Sequence, residues 1–400
     1  MSQLQEVYIV SAVRTPVGKA PRGIFRTVRP DDLLTHVIKE SLNQVPELDK
    51  NLVEDVIVGC AMPEAEQGMN VARIGALLAD LPDHVAGMTI NRFCSSGLQS
   101  IAIANDRIRL GAADVMIAGG TESMSMVPMG GYHLSANPNY FTENEKHVAI
   151  AFGMGITAEI VAQKYNVTRE QQDEFAFNSH QKALKAQAAG DLKAEISPYT
   201  MTLNLPEPEK MQIQQRQLQV LQDEGPRKDT SIEALAKLRP VFSVKGSVTA
   251  GNSSQMSDGA AACVLVSEKI LKQFNLKPLA QLKSFSVAGV PPEVMGIGPV
   301  KAIPKALQLA NVKLDEIEWI ELNEAFAAQS LAVIKEAQLN PEIVNPVGSA
   351  IALGHPLGAT GAIRTATIIH GMRQRKQKYG MVTMCIGTGM GAAGVFEVFN

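Results

Sequence analysis

Long hydrophobic runs are missing from this chain: no apolar stretch approaches the roughly 18 residues that a membrane span needs. Cysteine is scarce, with four in 400 residues (Cys60, Cys94, Cys263 and Cys385), and no two of them form a Cys-x-x-Cys pair. That excludes a disulfide framework and the usual zinc spacing, so no metal is expected and a reducing, cytoplasmic setting fits best. An excess of charge of one sign is also missing. The net charge is −3, which argues against nucleic acid as a partner and leaves room for a local basic patch holding one phosphorylated ligand. The start, MSQLQEVYIV, lacks the basic-then-apolar order of a signal peptide and the arginines of a transit peptide. The end, FEVFN, carries no peroxisomal address.

What is present is an ordinary globular composition, 46% apolar and 19% charged, long enough for two or three domains. Short runs rich in Val and Ile, at 6–12, 55–61, 114–120, 261–267, 318–322 and 381–387, are apolar throughout. Strands covered on both faces read that way. Helical patterns lie between them: Asp31–Leu42 after Pro30, Ser95–Leu110 before Gly111, and Gln171–Ala189 before Gly190. The expected class is α/β. Residues 124–249 differ, with a Met- and Gly-rich loop, a helical stretch and the Gln-rich PEPEKMQIQQRQLQVLQDEGPRKD, which is poor in core residues. They read as an inserted loop domain. It splits a first half, 1–123 completed by about 250–274, from a second half, 275–400.

The flanking halves look duplicated. VEDVIVG precedes Cys94 and LDEIEWI precedes His355; with Asp55 aligned to Glu316, 94 − 55 and 355 − 316 are both 39. Each is followed by a small-residue helix and then a strand ending in glycine. The pattern puts Cys94 and His355 at equivalent helix starts facing each other across a pseudo-two-fold, at strand-to-helix junctions where α/β sheets carry their sites.

Four such junctions hold chemistry-bearing residues. In NRFCSSGLQS, Cys94 precedes a helix start, where amides and dipole would favour a thiolate and Ser95 or Ser96 would cap. In GHPLGATG, His355 lies between Gly and Pro, fixed in backbone and uncrowded; no Gly-Lys-Ser/Thr follows, so this is not a phosphate loop. In CIGTGMGAAGVFEVFN, Cys385 precedes a bare glycine turn with free amides for an oxyanion. Its Gly-x-Gly-x-Gly is no dinucleotide fingerprint, because the chain ends nine residues after Gly391. In ELNEAFAAQ, Asn323 can donate and Glu324 accept; the structural alternative is a helix cap followed by an exposed glutamate. Each feature alone also fits a plain structural role. Together, two thiols and an imidazole beside oxyanion donors suit covalent acyl transfer.

NRFCSSGLQS, NEAFAAQ, GHPLGATG and CIGTGMGAA, in this order, resemble the signature blocks of the thiolase family, and AVRTPVGK, KLRPVF and TAGNSSQMSDGAAA agree. The likeness runs from about residue 7 to the end and is weakest over 196–222. The wording of NRFCSSGLQS, PPEVMGIGPV and GHPLG is similar to degradative 3-ketoacyl-CoA thiolases more than to biosynthetic acetoacetyl-CoA thiolases. The resemblance implies two βαβαβαββ halves stacked in five αβαβα layers. It implies Cys94 as acylated nucleophile, His355 as its activator and Cys385 as acid and base. One oxyanion hole would use His355 Nε2 and a water on Asn323, the other the amides of Cys94 and Gly387. Coenzyme A would be a substrate, with no permanently bound cofactor. Arg227 would lie beside its adenine and phosphates, Ser254 at the pantetheine amides, and Met154, Phe242, Ala250 and Phe326 along the pantetheine tunnel. Cys60 and Cys263 match no catalytic block. The family usually has a second glycine where this chain has Ser349, which would be strained if that position needs positive φ.

The implied activity is thiolysis of 3-ketoacyl-CoA to acetyl-CoA and a shortened acyl-CoA through acyl-Cys94, as in fatty acid β-oxidation. A homodimer or homotetramer is implied, and a hydratase/dehydrogenase partner subunit is compatible. Biosynthetic acetoacetyl-CoA thiolase is the nearest alternative, and a non-catalytic acyl-CoA or lipid carrier is the alternative from another class. A decarboxylating condensing enzyme would carry Cys-His-His or Cys-His-Asn, and Cys385 argues against it.

Overall fold

The computed structural model describes residues 4–141 and 145–400. Twelve strands appear among them: β1 (Val7–Arg14), β2 (Gly18–Lys19), β3 (Asp55–Gly59), β4 (Ala86–Ile90), β5 (Val115–Ser123), β6 (Tyr199–Glu207), β7 (Gln212–Val220), β8 (Ser257–Ser267), β9 (Ala280–Gly289), β10 (Trp319–Leu322), β11 (Tyr379–Ile386) and β12 (Met390–Val398). All six apolar runs named above are strands, and β5 and β8 are buried along their whole length. The three helices run Pro30–Asn43, Ser96–Arg109 and Arg169–Ala189. The last is closed at both ends by local chemistry: Thr168 and Gln171 form a capping box, and Gly190 takes the left-handed conformation at φ +79°.

The duplication is visible in the strand order. The first half reads β1-β8-β5-β3-β4 and the second β9-β12-β11-β10, joined at one antiparallel pair, Ile9↔Ala280. In each half the second pairing is antiparallel and the third parallel. The fifth strand of the second half is reduced to one parallel bridge, Ile320↔Val344. Register fixes the equivalence more firmly than sequence does. Asp55 pairs with Met116 and Trp319 with Gly380, both 61 residues apart (116 − 55 and 380 − 319). Asp55 therefore corresponds to Trp319, three residues beyond the Glu316 that the sequence alignment chose.

Three apolar cores separate five layers. One lies under the outer helices Pro30–Asn43 and Val71–Leu78, another under the outer helix Gly298–Ala310. The largest surrounds two central helices, Ser96–Arg109 and Leu357–Arg375, sandwiched between the strand sets. These two touch backbone to backbone. A Cβ on Gly97 would sit 2.7 Å from the Ala362 nitrogen, and one on Gly361 would sit 2.7 Å from Leu98 Cβ and against the Leu98 nitrogen. Over its Gln-rich part the inserted segment departs from the loops expected of it. It forms the antiparallel hairpin β6–β7 instead, paired from Tyr199↔Val220 to Glu207↔Gln212. Its outer face is polar, so the hairpin shows little of the apolar signal by which strands are read, and only its base, through Tyr199, Met201, Leu203, Leu218 and Val220, packs on the core.

Gly361→Ala should destabilise the fold by roughly 1–3 kcal/mol through overpacking of the central helices. Thermal denaturation measures it, and a melting temperature equal to the parent's would refute the close contact.

Candidate active site

Cys94 lies on the turn Phe93–Ser95 at the start of the first central helix. Phe93 there has φ +43°, a conformation an aromatic residue adopts only where the surroundings impose it. Ser96, not Ser95, organises the turn: its hydroxyl accepts from the Arg92 N–H at 2.8 Å and donates to the Phe93 carbonyl at 2.7 Å. Ser95 Oγ makes no cap. The Cys94 side chain packs with Ala61, Met124 and Leu357. The expected thiolate-favouring effect of the helix start does not prevail. Burial pushes the thiol up to about 11, against stabilising hydrogen bonds from the amides of Gly387 and of Cys94 itself, and the charge of Glu122 adds to the rise.

The Gly387 amide is presented by the hairpin between β11 and β12, where Thr388 (φ +64°) and Gly389 (φ +88°) turn the chain. This explains the terminal glycine pattern without any nucleotide, since the last strand simply returns antiparallel. Cys385, on β11, is fully buried among Met154, Met295 and Phe326. Burial raises its thiol, and the neighbouring Cys94 adds to the rise. The two sulfurs are thus electrostatically coupled across the junction of the two halves.

His355 sits just ahead of the second central helix, two residues before Leu357, which packs on Cys94. Its backbone N–H donates to Ser257 Oγ at 3.1 Å, and Nδ1 pairs with Thr360 Oγ1 at 2.6 Å. Nε2 lies 3.3 Å from Asn323 Nδ2. The set is self-consistent with the proton on Nδ1, donated to Thr360, and a bare Nε2 accepting from Asn323. Burial, with the Arg364 guanidinium behind, pulls the imidazole down to about 3. Asn323 Oδ1 has no protein partner among the described residues. Glu324 is not the exposed glutamate of the structural alternative. It is buried, accepting from Ser179 Oγ (2.6 Å), Asn345 Nδ2 (2.9 Å) and the Ile351 N–H (3.2 Å). Ser349 is unstrained at φ −144°; the left-handed position is Gly348, φ +76°.

A cavity of about 650 Å³ opens beside these residues. Arg227, Ser254, Ala250 and Phe242 line it. Phe242 meets Phe326 edge-to-face at 6.1 Å, and Phe326 packs with Met154 and Cys385, so packed apolar side chains link the cavity wall to the second thiol; Phe326 and Met154 do not themselves line the cavity. Arg227 is on the rim, paired with Asp229 at 3.0 Å and more than half exposed. Sequence reasoning gave no role to two further lining groups, Lys19 and His180. Lys19 lay in a quoted motif, AVRTPVGK, without a partner to suggest its use. His180 accepts from the Arg227 N–H through Nδ1 at 3.2 Å, a pairing no spacing reveals. Thr360 was missed as well, although its place five residues after His355 on a helix start was a usable signal.

His355 should remain neutral between about pH 8 and about pH 5, because only the unfolded imidazole takes up a proton near its ordinary value. By the same sign, this residue destabilises the fold as pH falls from about 6.5 toward 3. Histidine ¹⁵N chemical shifts test this, and a His355 midpoint between about pH 5 and about pH 8 would contradict it.

The chain is similar over almost its whole length to known proteins. Residues 7–269 match the family model described as thiolase, N-terminal domain, and residues 276–398 that of thiolase, C-terminal domain. A 3-ketoacyl-CoA thiolase of Bacillus subtilis is 53% identical, covering 99% of this chain and 100% of the relative. The peroxisomal 3-ketoacyl-CoA thiolase of Homo sapiens is 45% identical over 98% of this chain and 91% of its own. Among solved structures, the Bacillus anthracis acetyl-CoA acetyltransferase superposes with a TM-score of 0.88 at 38% identity, covering both chains fully.

Proposed function

The chain belongs to the thiolase family, and from that premise we propose that it is a 3-ketoacyl-CoA thiolase, cleaving its substrate with coenzyme A to acetyl-CoA and a shortened acyl-CoA. What supports the roles is that Cys94 acts on the buried Cys385 and packs against Leu357, at the start of the helix that a buried His355 precedes. Cys94 Sγ attacks the C3 carbonyl as His355 Nε2 takes its proton. Neither group is charged at rest, so charge appears only as the oxyanion forms, where the amides of Cys94 and Gly387 receive it. The C2–C3 bond then breaks. Cys385 gives its proton to C2 of the leaving acetyl-CoA, while His355 and Asn323, with a water, steady the thioester oxygen. In the second half-reaction Cys385 takes the proton of incoming coenzyme A, whose sulfur attacks acyl-Cys94; the shortened acyl-CoA leaves as His355 returns its proton to the departing Cys94 sulfur.

Coenzyme A enters through the cavity in this reading. Lys19 and Arg227 meet its phosphates at the polar mouth, Ser254 its amides, and Phe242, Ala250, Phe326 and Met154 its pantetheine arm. Residues 124–249 supply much of that cavity as a loop domain. The four unpaired cysteines fit a reducing compartment, the cytoplasm. Strand β4 ends the strand order and leaves Met88 two-fifths exposed, which suits pairing with a second copy in a dimer or tetramer. Light scattering reads that state, and co-purification reads any hydratase/dehydrogenase subunit. The structural likeness to an acetyl-CoA acetyltransferase favours one second reading, biosynthetic condensation at C4.

Thiolysis should be followed on acetoacetyl-CoA and on medium- and long-chain 3-ketoacyl-CoA. Higher kcat/KM on the longer substrates supports the degradative enzyme. Activity confined to acetoacetyl-CoA moves the reading to the biosynthetic one, and tight lipid binding without turnover to a carrier. Cys94→Ala should lower turnover at least about a thousand-fold. In Cys385→Ala, acyl-CoA should still acylate Cys94, seen by mass spectrometry, while carbon–carbon cleavage is lost. Lys19→Ala should raise KM for coenzyme A by about ten-fold, the worth of one charged contact, with kcat little changed; an unchanged KM would remove Lys19 from the phosphate site.

A further inference from the structure

Glu122, near the end of β5, is a buried carboxylate that the reaction above does not use; it is 1% exposed. Its Oε2 accepts from the Ala61 N–H at 2.7 Å and the Gly358 N–H at 2.8 Å. Its Oε1 accepts from the Met62 N–H at 3.2 Å and Gln67 Nε2 at 2.5 Å, with Cys60 Sγ at 3.9 Å. Each of these donors is neutral. No arginine or lysine pairs with Glu122 among the described residues, which is unusual for a fully buried carboxylate.

The donors come from both halves of the molecule. Ala61 and Met62 follow β3 in the first half, and Ala61 packs against Cys94. Gly358 is the second residue of the central helix that begins just after His355. Its amide is one of the four that an α-helix leaves unpaired at its start, at the positive end of the helix dipole. Glu122 thus caps, from the first half, the helix that carries the imidazole of the second. The approach tolerates no side chain: a Cβ on Gly358 would lie 2.7 Å from the Ala61 nitrogen, from Cys60 Cα and from Glu122 Oε2. The carboxylate also lies close enough for its charge to act on the Cys94 thiol.

We propose that Glu122 is a positioning residue that ties the start of the His355 helix to the strand end beside Cys94, setting the imidazole in line with the nucleophile. The reaction it serves rests on the thiolase reading; the clamp itself rests on the five donors. Its charge has a second effect. It adds to the burial that already disfavours a resting thiolate at Cys94.

Two variants separate positioning from mere packing. Glu122→Gln keeps the shape and removes the charge, whereas Glu122→Asp keeps the charge and shortens the reach. For both, circular dichroism melts confirm folding, steady-state thiolysis gives kcat and KM for coenzyme A, and iodoacetamide alkylation of Cys94 is followed against pH. Cys385 on β11 acts on the same thiol, and Cys60 faces the carboxylate; both stay in place in both variants, as does His355. We expect kcat to fall by about ten-fold or more in each variant, with KM for coenzyme A within about two-fold, because Glu122 does not line the cavity. The alkylation midpoint should move to lower pH in Glu122→Gln and hold in Glu122→Asp. A folded Glu122→Gln with wild-type kcat, or with an unshifted alkylation midpoint, overturns the proposal, as does a rise in KM at constant kcat. Should Glu122→Gln fail to fold, the kcat and KM of Glu122→Asp decide alone. If the unaltered protein thiolyses no 3-ketoacyl-CoA, the functional reading fails, while the alkylation profiles still report the clamp.

Discussion

Everything at this site depends on two helices approaching closely enough for their backbones to touch. Gly97 and Gly361 are the positions of contact, and any side chain at either would force the helices apart. Because the halves share one topology, the contact sets two equivalent helix starts side by side. The chain then fills one with a thiol and the other with an imidazole. The arrangement has a cost, since unpaired amides at two helix starts are buried together. Glu122 satisfies one of them, the Gly358 N–H, while Ser96 and Ser257 hold the Arg92 and His355 amides just ahead of the two starts.

Burial so deep decides the electrostatic character of the chemistry. In water a Cys–His pair can share charge at rest. Here desolvation raises both thiols and lowers the imidazole, so the neutral pair is the stable one. A thioester substrate suits such a site, because its reacting end is uncharged and its phosphates lie far along the molecule. The cavity follows the same division. Arg227 stands on its rim with Lys19 also in its lining, and the Phe242–Phe326 pair packs toward Cys385 in apolar surroundings.

Strands buried on both faces were legible because their apolar runs are unbroken, and Cys94, His355, Asn323 and Cys385 because each sits at a strand-to-helix or strand-to-turn junction with glycine nearby. What stayed hidden was of two kinds. Strands β4, β6 and β7 face solvent over much of their length and lack a continuous apolar run. Partners such as Thr360, Ser257, Lys19 and Glu122 are ordinary polar residues whose meaning lies in what they touch. Glu122 meets Gly358 across 236 residues of chain, and no local pattern announces that pairing. The expected activation of Cys94 by its helix start also went astray for a physical reason, since a sequence shows the dipole but not the desolvation that opposes it.

The three-residue slip between the sequence alignment and the strand register shows how the halves diverged. Val56 pairs with Gly87 and Ile320 with Val344, so the crossover takes 31 residues in the first half (87 − 56) and 24 in the second (344 − 320). From that point to the reacting residue the count reverses: 7 residues from Gly87 to Cys94, and 11 from Val344 to His355. Seven fewer and four more leave the slip of three. The second half gave up most of a strand and spent part of the saved length on the segment between Val344 and His355. That extra length is tied down by Glu324 on the Ile351 amide, Gln255 on the carbonyls of Ile351 and Ala352, and Arg364 on that of Gly354. The thiol's turn is held within its own short segment, by Ser96 and Asn91. The imidazole, which keeps one nitrogen on Thr360 and presents the other beside Asn323, is held by residues from distant segments, and the asymmetry of the duplication matches that difference in what the two side chains have to hold.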